Sequence, residues 1–365
     1  MVEYLTIPEA ATRLHVTRQT VYRWIKEGRI DPVWTPGGSY RVPDDQLIQS
    51  AATPPSRTYN DRKIFPVTNI SEFEPEIIEQ LGTKFKFWYR TQVGKRVLFK
   101  EGRPGTGENW AEKAASELCG LLGLPHVPYE LAVWKGKEGV VCDDFEPPGG
   151  RLVHGNELLA LREDAYDRDK RYRQGQHTLR LVLDTIRDEV LEVPLDWNPF
   201  DIIESPIDVF VGYLMLDTWI ANQDRHHQNW GLVLTKDQVT HLAPSFDHAS
   251  SLGRNESDDV RKERLVTKDK ARSIERYVEK ARSAFYASPE SARPMFTIEA
   301  FEMAAMQSRD AARSWLGRLE QVASADTMSV FERIPDTKIT PAAVEFAQHM
   351  LELNRERLLG LRKGL

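Results

Sequence analysis

Residues Asn222-Gln-Asp-Arg-His-His-Gln-Asn229, followed by Ser245-Phe-Asp-His-Ala249, decide how this chain is read. Asp224 is a carboxylate, Asn229 an amide in the same short loop, and Asp247 a second carboxylate farther on. Phosphoryl transfer needs one carboxylate to accept the proton of the attacking hydroxyl. It also needs an oxygen pair, typically an Asn amide and an Asp, to hold the magnesium that bridges nucleotide phosphates. Between them, Trp230–Leu234 and Val239–Ala243 read as two short strands around a Thr-Lys-Asp-Gln turn, a hairpin that returns Asp247 to Asn229. Pro206 through Ala221 reads as a helix apolar enough to be buried, and it delivers the loop from a rigid base. Asp224 is therefore the expected proton acceptor, and Asn229 and Asp247 the expected magnesium ligands. Arg225 and His226 are expected to order the loop. His226, His227, His241 and His248 also invite a two-metal hydrolase reading with the two carboxylates. Their spacing is not that of one helix face, however, and Asn229 would have no part in it.

Upstream, Thr83–Arg90 and Gly94–Lys100 read as two strands around a Thr-Gln-Val-Gly turn. Lys100 ends the second strand, where a kinase places the lysine that binds the inner phosphates. A helix is predicted from Glu108 through Leu122. Glu112, one turn in, is positioned to orient Lys100, with Glu117 the competing choice. A further strand pair, Tyr129–Trp134 and Gly139–Phe145, is expected to line the adenine pocket, with Val141, Cys142, Asp143 and Phe145 as hinge and ATP contacts. Pro147-Pro-Gly-Gly150 breaks the second of these strands. The predicted division is a smaller lobe over 64–148 and a larger, mostly helical lobe over 149–365. Helical stripes are expected over Ile274–Ala281, Thr297–Val322 and Thr340–Leu361.

At 365 residues the chain is long enough for several domains. The net charge of −6 argues against a chain coated for nucleic acid, although a small module could still bind DNA, and no apolar stretch approaches the ~18 residues of a membrane span. Only Cys119 and Cys142 occur, each within an apolar run, so no disulfide framework is expected. The expected location is cytoplasmic, with no membrane partner.

Residues 1–50 have a different grammar. Thr6-Ile-Pro-Glu9 is a capped helix start, and Thr17 caps a second helix that Gly28 ends. Val21, Trp24 and Ile25 face inward at helical spacing. Pro36–Val42 reads as a hairpin wing, and 51–63 as a linker. The pattern Leu5-Thr-x-x-Glu-Ala-Ala11, Val16-Thr-x-x-Thr-Val-Tyr-Arg-Trp-Ile25, Gly28-x-Ile30 resembles the winged helix-turn-helix of the excisionase and MerR families. That resemblance implies double-stranded DNA as a partner. Arg18, Gln19, Thr20 and Arg23 would enter the major groove and Arg41 would touch phosphate or minor groove. A single small reader makes few phosphate contacts, so useful occupancy calls for a homodimer or tandem copies.

The remainder resembles the HipA-like kinases of bacterial toxin–antitoxin systems, over roughly residues 80–360. The residues that carry the likeness are Leu98-Phe-Lys-Glu-Gly102, Trp110-Ala-Glu-Lys113, Leu121-Leu-Gly-Leu-Pro125, Gly155-Asn-Glu-Leu-Leu159, Asn222–Asn229 and Ala243-Pro-Ser-Phe-Asp247. The resemblance implies a multidomain α+β architecture, a winged helix-turn-helix followed by a two-lobed protein-kinase-like fold. It further implies ATP and Mg2+ as cofactors, and serine or threonine of a cytosolic protein as acceptor, with aminoacyl-tRNA synthetases among known targets. An antitoxin is the implied further partner, and autoregulation or targeting the implied use of the DNA-reading head. Three features depart from the family. The helix-turn-helix stands where the longest members carry another subdomain, Gln92-Val-Gly-Lys95 holds one glycine where a phosphate loop is expected, and the metal carboxylate stands in Phe-Asp-His. The alternatives are a nucleotide-sensing transcriptional regulator with a non-catalytic kinase fold, or a lipid or small-molecule kinase.

Overall fold

The computed structural model describes residues 4–6, 9–10, 13, 33–34, 40–43, 63–78 and 84–365. The chain falls into two compact units, Met1–Asp61 and Arg62–Leu365.

In the first unit, β1 (Tyr4–Thr6), β2 (Val33–Trp34) and β3 (Tyr40–Pro43) form an antiparallel sheet in the order β1-β3-β2. Of the predicted wing, Pro36–Val42, the described part falls on β3, which pairs with β2 before it and with β1 at the chain's start; residues 35–39 lie outside the described residues. Thr6 and Glu9 cap each other as the sequence suggested. Glu9 N–H donates to Thr6 Oγ1 (3.3 Å), and Thr6 N–H donates to the Glu9 carboxylate (2.7 Å). The Arg41 guanidinium lies 3.9 Å from that same carboxylate. Arg18, Gln19, Thr20, Arg23, and residues 51–62 of the linker lie outside the described residues.

The second unit begins with a six-stranded sheet in the order β4-β8-β9-β7-β6-β5. Its strands are β4 (Val67–Asn69), β5 (Ile77–Ile78), β6 (Lys86–Arg90), β7 (Arg96–Glu101), β8 (Glu130–Trp134) and β9 (Lys137–Asp143). All neighbours are antiparallel except β4 and β8. The short strands β4 and β5 lack a sequence signature, because neither is long enough to show alternation. One face of the sheet carries Phe87, Tyr89, Phe99, Val141 and Trp134 in an aromatic cluster. The other packs the Glu108–Leu122 helix, whose Ala111, Ala114, Ala115 and Leu118 are fully buried.

The helical part is organised by the Pro206–Trp219 helix. Ser205 caps it, Pro206 opens it, and twelve apolar or small residues make it hydrophobic all round, so it becomes the central buried rod. A three-stranded sheet of β10 (Arg151–His154), β11 (Gly231–Leu234) and β12 (Thr240–Leu242) covers one side. The β11–β12 hairpin pairs Leu232 with Leu242, as the sequence pattern required. The predicted helix over 297–322 is two helices, Thr297–Ala305 and Arg309–Gln321, because Ser308 breaks the run. Pro341–Leu361, capped by Thr340, closes the unit. Among the described residues no helix is long and apolar enough to cross a membrane.

Candidate active site

The Asn222–Asn229 loop follows the apolar helix directly, and one buried acid in that helix holds it. Asp217 receives both faces of Arg225: Nη2 donates to Oδ1 at 2.8 Å and Nε to Oδ2. Asn222 Nδ2 donates to Asp217 Oδ1 (2.8 Å), and Asn222 Oδ1 accepts from the Asp224 amide (3.2 Å). Arg225, 2% exposed, also donates to Asn229 O (3.3 Å) and Ser245 Oγ (3.0 Å). One guanidinium therefore ties together the helix, the loop and the segment that carries Asp247. Asp217 was missed at the sequence level, although a lone carboxylate within an apolar helix is a legible sign.

Asn229 Nδ2 donates to Asp224 O (2.7 Å), which leaves the amide oxygen as the atom able to take a cation. Asp247 sits on left-handed backbone at φ 60°, an unfavourable conformation for a non-glycine residue that turns its carboxylate toward Lys100. Lys100 Nζ lies 3.2 Å from Asp247 Oδ1 and 3.9 Å from Glu112 Oε2, and it donates to Tyr129 OH at 3.1 Å. Glu112 Oε1 in turn accepts the His248 amide (2.6 Å). Glu117 instead pairs with Lys113 (2.8 Å), so Glu112 is the acid beside Lys100.

Burial alone would lower the Lys100 ammonium. Asp247, Tyr129 and Glu112 outweigh it and hold the pKa well above its ordinary value. Burial would raise Asp247, but Lys100, Lys86 and Lys84 hold it well below the usual carboxylate range. Glu112 is pushed up by burial, only partly offset by Lys100. Asp224 behaves differently. Burial, then the charge of Asp247, raises it to about 6, the range useful to a proton acceptor.

Above these groups lies a cavity of about 320 Å3. Leu98, Cys142, Phe145, Leu152 and Phe246 supply its apolar walls, and Lys86, Lys100, Asn229 and Asp247 its polar end. Val141, expected here, faces the opposite way: its side chain joins the aromatic cluster, because successive residues of β9 alternate faces. Cys142 and Asp143 line the cavity, and Asp144 is anchored by Arg96 Nη1 (2.9 Å) just before Phe145.

Lys86 was also missed. It stands opposite Lys100 in the β6–β7 register, and its charge acts on Asp247 without a close ion pair among the described residues. Burial, then repulsion from Lys100, lowers its pKa. It opens onto a second recess of about 300 Å3 with Lys84, Arg103, Arg171 and Arg254 around Asp224 and Asp247. This register also corrects the expected phosphate loop. The 91–95 turn lies at the other end of the sheet, where Lys95 pairs with Asp143 (2.5 Å). The β5–β6 connection, residues 79–85, leads into Lys86.

The histidines do not converge on a metal. His227 Nδ1 bonds Tyr166 OH (2.8 Å), His241 Nδ1 bonds Val193 O (3.0 Å), and His248 Nε2 bonds Ser245 Oγ (2.7 Å). His226 Nε2 accepts from Arg171 Nε (2.8 Å). The remaining oxygen pair, Asn229 and Asp247, fits magnesium, which takes one or two protein oxygens and leaves its other positions to phosphate and water. The apolar walls and cationic end fit a nucleotide triphosphate in the same way.

Residues 4–52 match the family model of the helix-turn-helix domain. No curated protein matches the sequence. Among solved structures, the Helicobacter pylori proinflammatory kinase CtkA superposes with a TM-score of 0.61 at 19% identity, covering 81% of this chain and 99% of that one. HipA of Shewanella oneidensis MR-1, from its toxin–antitoxin complex with HipB and operator DNA, gives a TM-score of 0.49 at 10% identity, covering 92% of this chain and 74% of that one. The chain thus joins an N-terminal helix-turn-helix domain to a kinase fold of the kind seen in CtkA.

Proposed function

We propose that the protein is an ATP-dependent kinase that phosphorylates serine or threonine of a protein, with its N-terminal domain binding double-stranded DNA for autoregulation or targeting. The observation that carries this reading is the convergence of Lys100, Asn229 and Asp247 at the polar end of a cavity whose apolar wall suits a base, with Asp224 beside Asp247 in the adjoining recess. Lys100, kept charged and oriented by Glu112, clamps the inner phosphates. Asp224 accepts the proton of the attacking hydroxyl, and Arg225 and His226 keep the loop in place. Magnesium held by Asn229 and Asp247 would supply the positive charge that offsets charge building on the transferred group. Lys86 and Lys84 add cationic character where the outer phosphates enter. Arg18, Gln19, Thr20, Arg23 and Arg41 are the proposed DNA contacts.

Phosphate transfer from labelled ATP to proteins of a cell extract, with Asp224→Asn and Asp247→Asn as controls, tests the reading. Labelled bands lost in both variants would support a protein kinase. ATP binding without label on protein would leave the nucleotide sensor or the small-molecule kinase. Absence of ATP binding would sink the kinase reading altogether.

A further inference from the structure

Beside the Asn222–Asn229 loop, and sharing Arg171 with the nucleotide cavity, lies the largest concavity around Asp224, about 800 Å3. The Lys170–Gln174 segment forms one wall and Ser283–Pro294 the other, with Asp224, His226 and His227 between them. Four cations line it: Lys170, Arg171, Arg173 and Arg293. Asp224 is the one acid among its lining residues. The neighbouring acid Asp167 does not line it; its Oδ1 accepts the backbone amides of Asp169 and Lys170 (3.1 and 3.2 Å), although it and Asp169 act electrostatically on His227.

Surface cations ordinarily sit beside acids or point into open water. Here Lys170, Arg173 and Arg293 are exposed on the walls with no ion pair to the described residues, and Arg171, whose Nε donates to His226 Nε2, has its Nη1 buried without a hydrogen-bond partner. A buried guanidinium nitrogen left without an acceptor costs free energy unless a ligand supplies one. The positions matter as much as the count, since the cations flank Asp224 on both walls and a bound segment would meet them on either side of its acceptor hydroxyl.

We propose that this groove selects an acidic protein segment, one whose acceptor serine or threonine is flanked by aspartate or glutamate. The inference rests on the reading of Asp224 as the proton acceptor of a protein kinase. A polynucleotide is disfavoured as occupant, because the cations ring one recess instead of forming a stripe, and the whole chain carries a net charge of −6.

The test uses the full-length protein saturated with magnesium and a non-hydrolysable ATP analogue. Fluorescence anisotropy would follow two labelled serine peptides of one length, Asp-flanked and Lys-flanked, and an RNA hairpin as competitor. The variants are Arg173→Glu with Arg293→Glu, and the conservative Arg173→Lys with Arg293→Lys. The Asp-flanked peptide should bind roughly ten-fold more tightly, the sum of several exposed charge contacts. The double reversal should abolish or invert that preference without altering ATP affinity, and the lysine pair should retain it. Equal affinity for both peptides, preference for the Lys-flanked one, no binding of either, or tighter binding of the RNA would each overturn the proposal. Transfer measured on the same peptides separates the two levels. Label moving without charge preference defeats the groove inference and keeps the kinase. Acidic peptides that bind but never take label keep the groove's selectivity and defeat the kinase.

Discussion

Asp224 and Asp247 are two carboxylates in one cleft whose surroundings pull their proton affinities in opposite directions. Lysines keep Asp247 ionised, as a cation ligand must be, while burial and the charge of Asp247 keep Asp224 ready to take a proton. Asp224→Asn should lower phosphate transfer by roughly a hundred- to ten-thousand-fold, with ATP affinity unchanged by equilibrium titration. The same substitution should not lower Tm. A carboxylate whose folded-state pKa is raised costs stability once ionised, so stability falls as pH rises from 3.8 through about 6, and the neutral amide escapes that loss. Activity has the opposite sign. The base works only when deprotonated, so kcat/KM should fall as pH drops below about 6. A cation that neutralises Asp247 removes one cause of the shift, so the limb should move to lower pH as magnesium is raised.

At the scale of elements, the Arg225–Asp217 pair and the β7–β9 ladder fix where those residues stand. Arg225→Ala leaves Asp217 buried without its partner. It should cost about 3–5 kcal/mol in urea unfolding, with transfer lost as the loop loosens. Gly139 faces the Lys100 carbonyl across the β7–β9 pairing, and a Cβ there would meet that oxygen at 2.3 Å and the Phe99 ring at 2.6 Å. Gly139→Ala should destabilise by about 1–3 kcal/mol and raise the KM for ATP, because the strand that carries Lys100 must move. Steady-state kinetics at varied ATP would show this, and an unchanged KM would refute it.

The whole molecule is two units of different chemistry on one chain. Arg18→Ala with Arg23→Ala should abolish DNA binding in a mobility-shift assay and leave phosphate transfer intact. DNA affinity of the intact protein should fall steeply between low and physiological salt, since phosphate contacts release counterions. A DNA affinity indifferent to salt would remove the proposed phosphate contacts.

Much of this was legible in the chain itself. The Glu108–Leu122 helix, the apolar Pro206–Trp219 rod and the β11–β12 hairpin all carry local signals: periodicity, caps, and a polar turn between short apolar runs. Asp224, Asn229 and Asp247 stood out because their chemistry depends on spacing along a short loop. Other features depended on contacts far apart in sequence. Lys86 is indistinguishable from any strand lysine until the register sets it opposite Lys100. Val141 and Cys142 differ only in which face of β9 they occupy, and pairing with β7 and β8 settles that. Position one turn into the helix already favours Glu112 over Glu117, and the way the helix lies against the sheet sets it beside Lys100; Asp217 became a scaffold only when Arg225 folded back onto it. Sequence determined the elements and the Asn222–Asn229 loop, because both are governed by interactions between near neighbours. Tertiary structure decided which charges meet, because burial and partnership across the chain set whether a carboxylate holds a cation, takes a proton or anchors a loop.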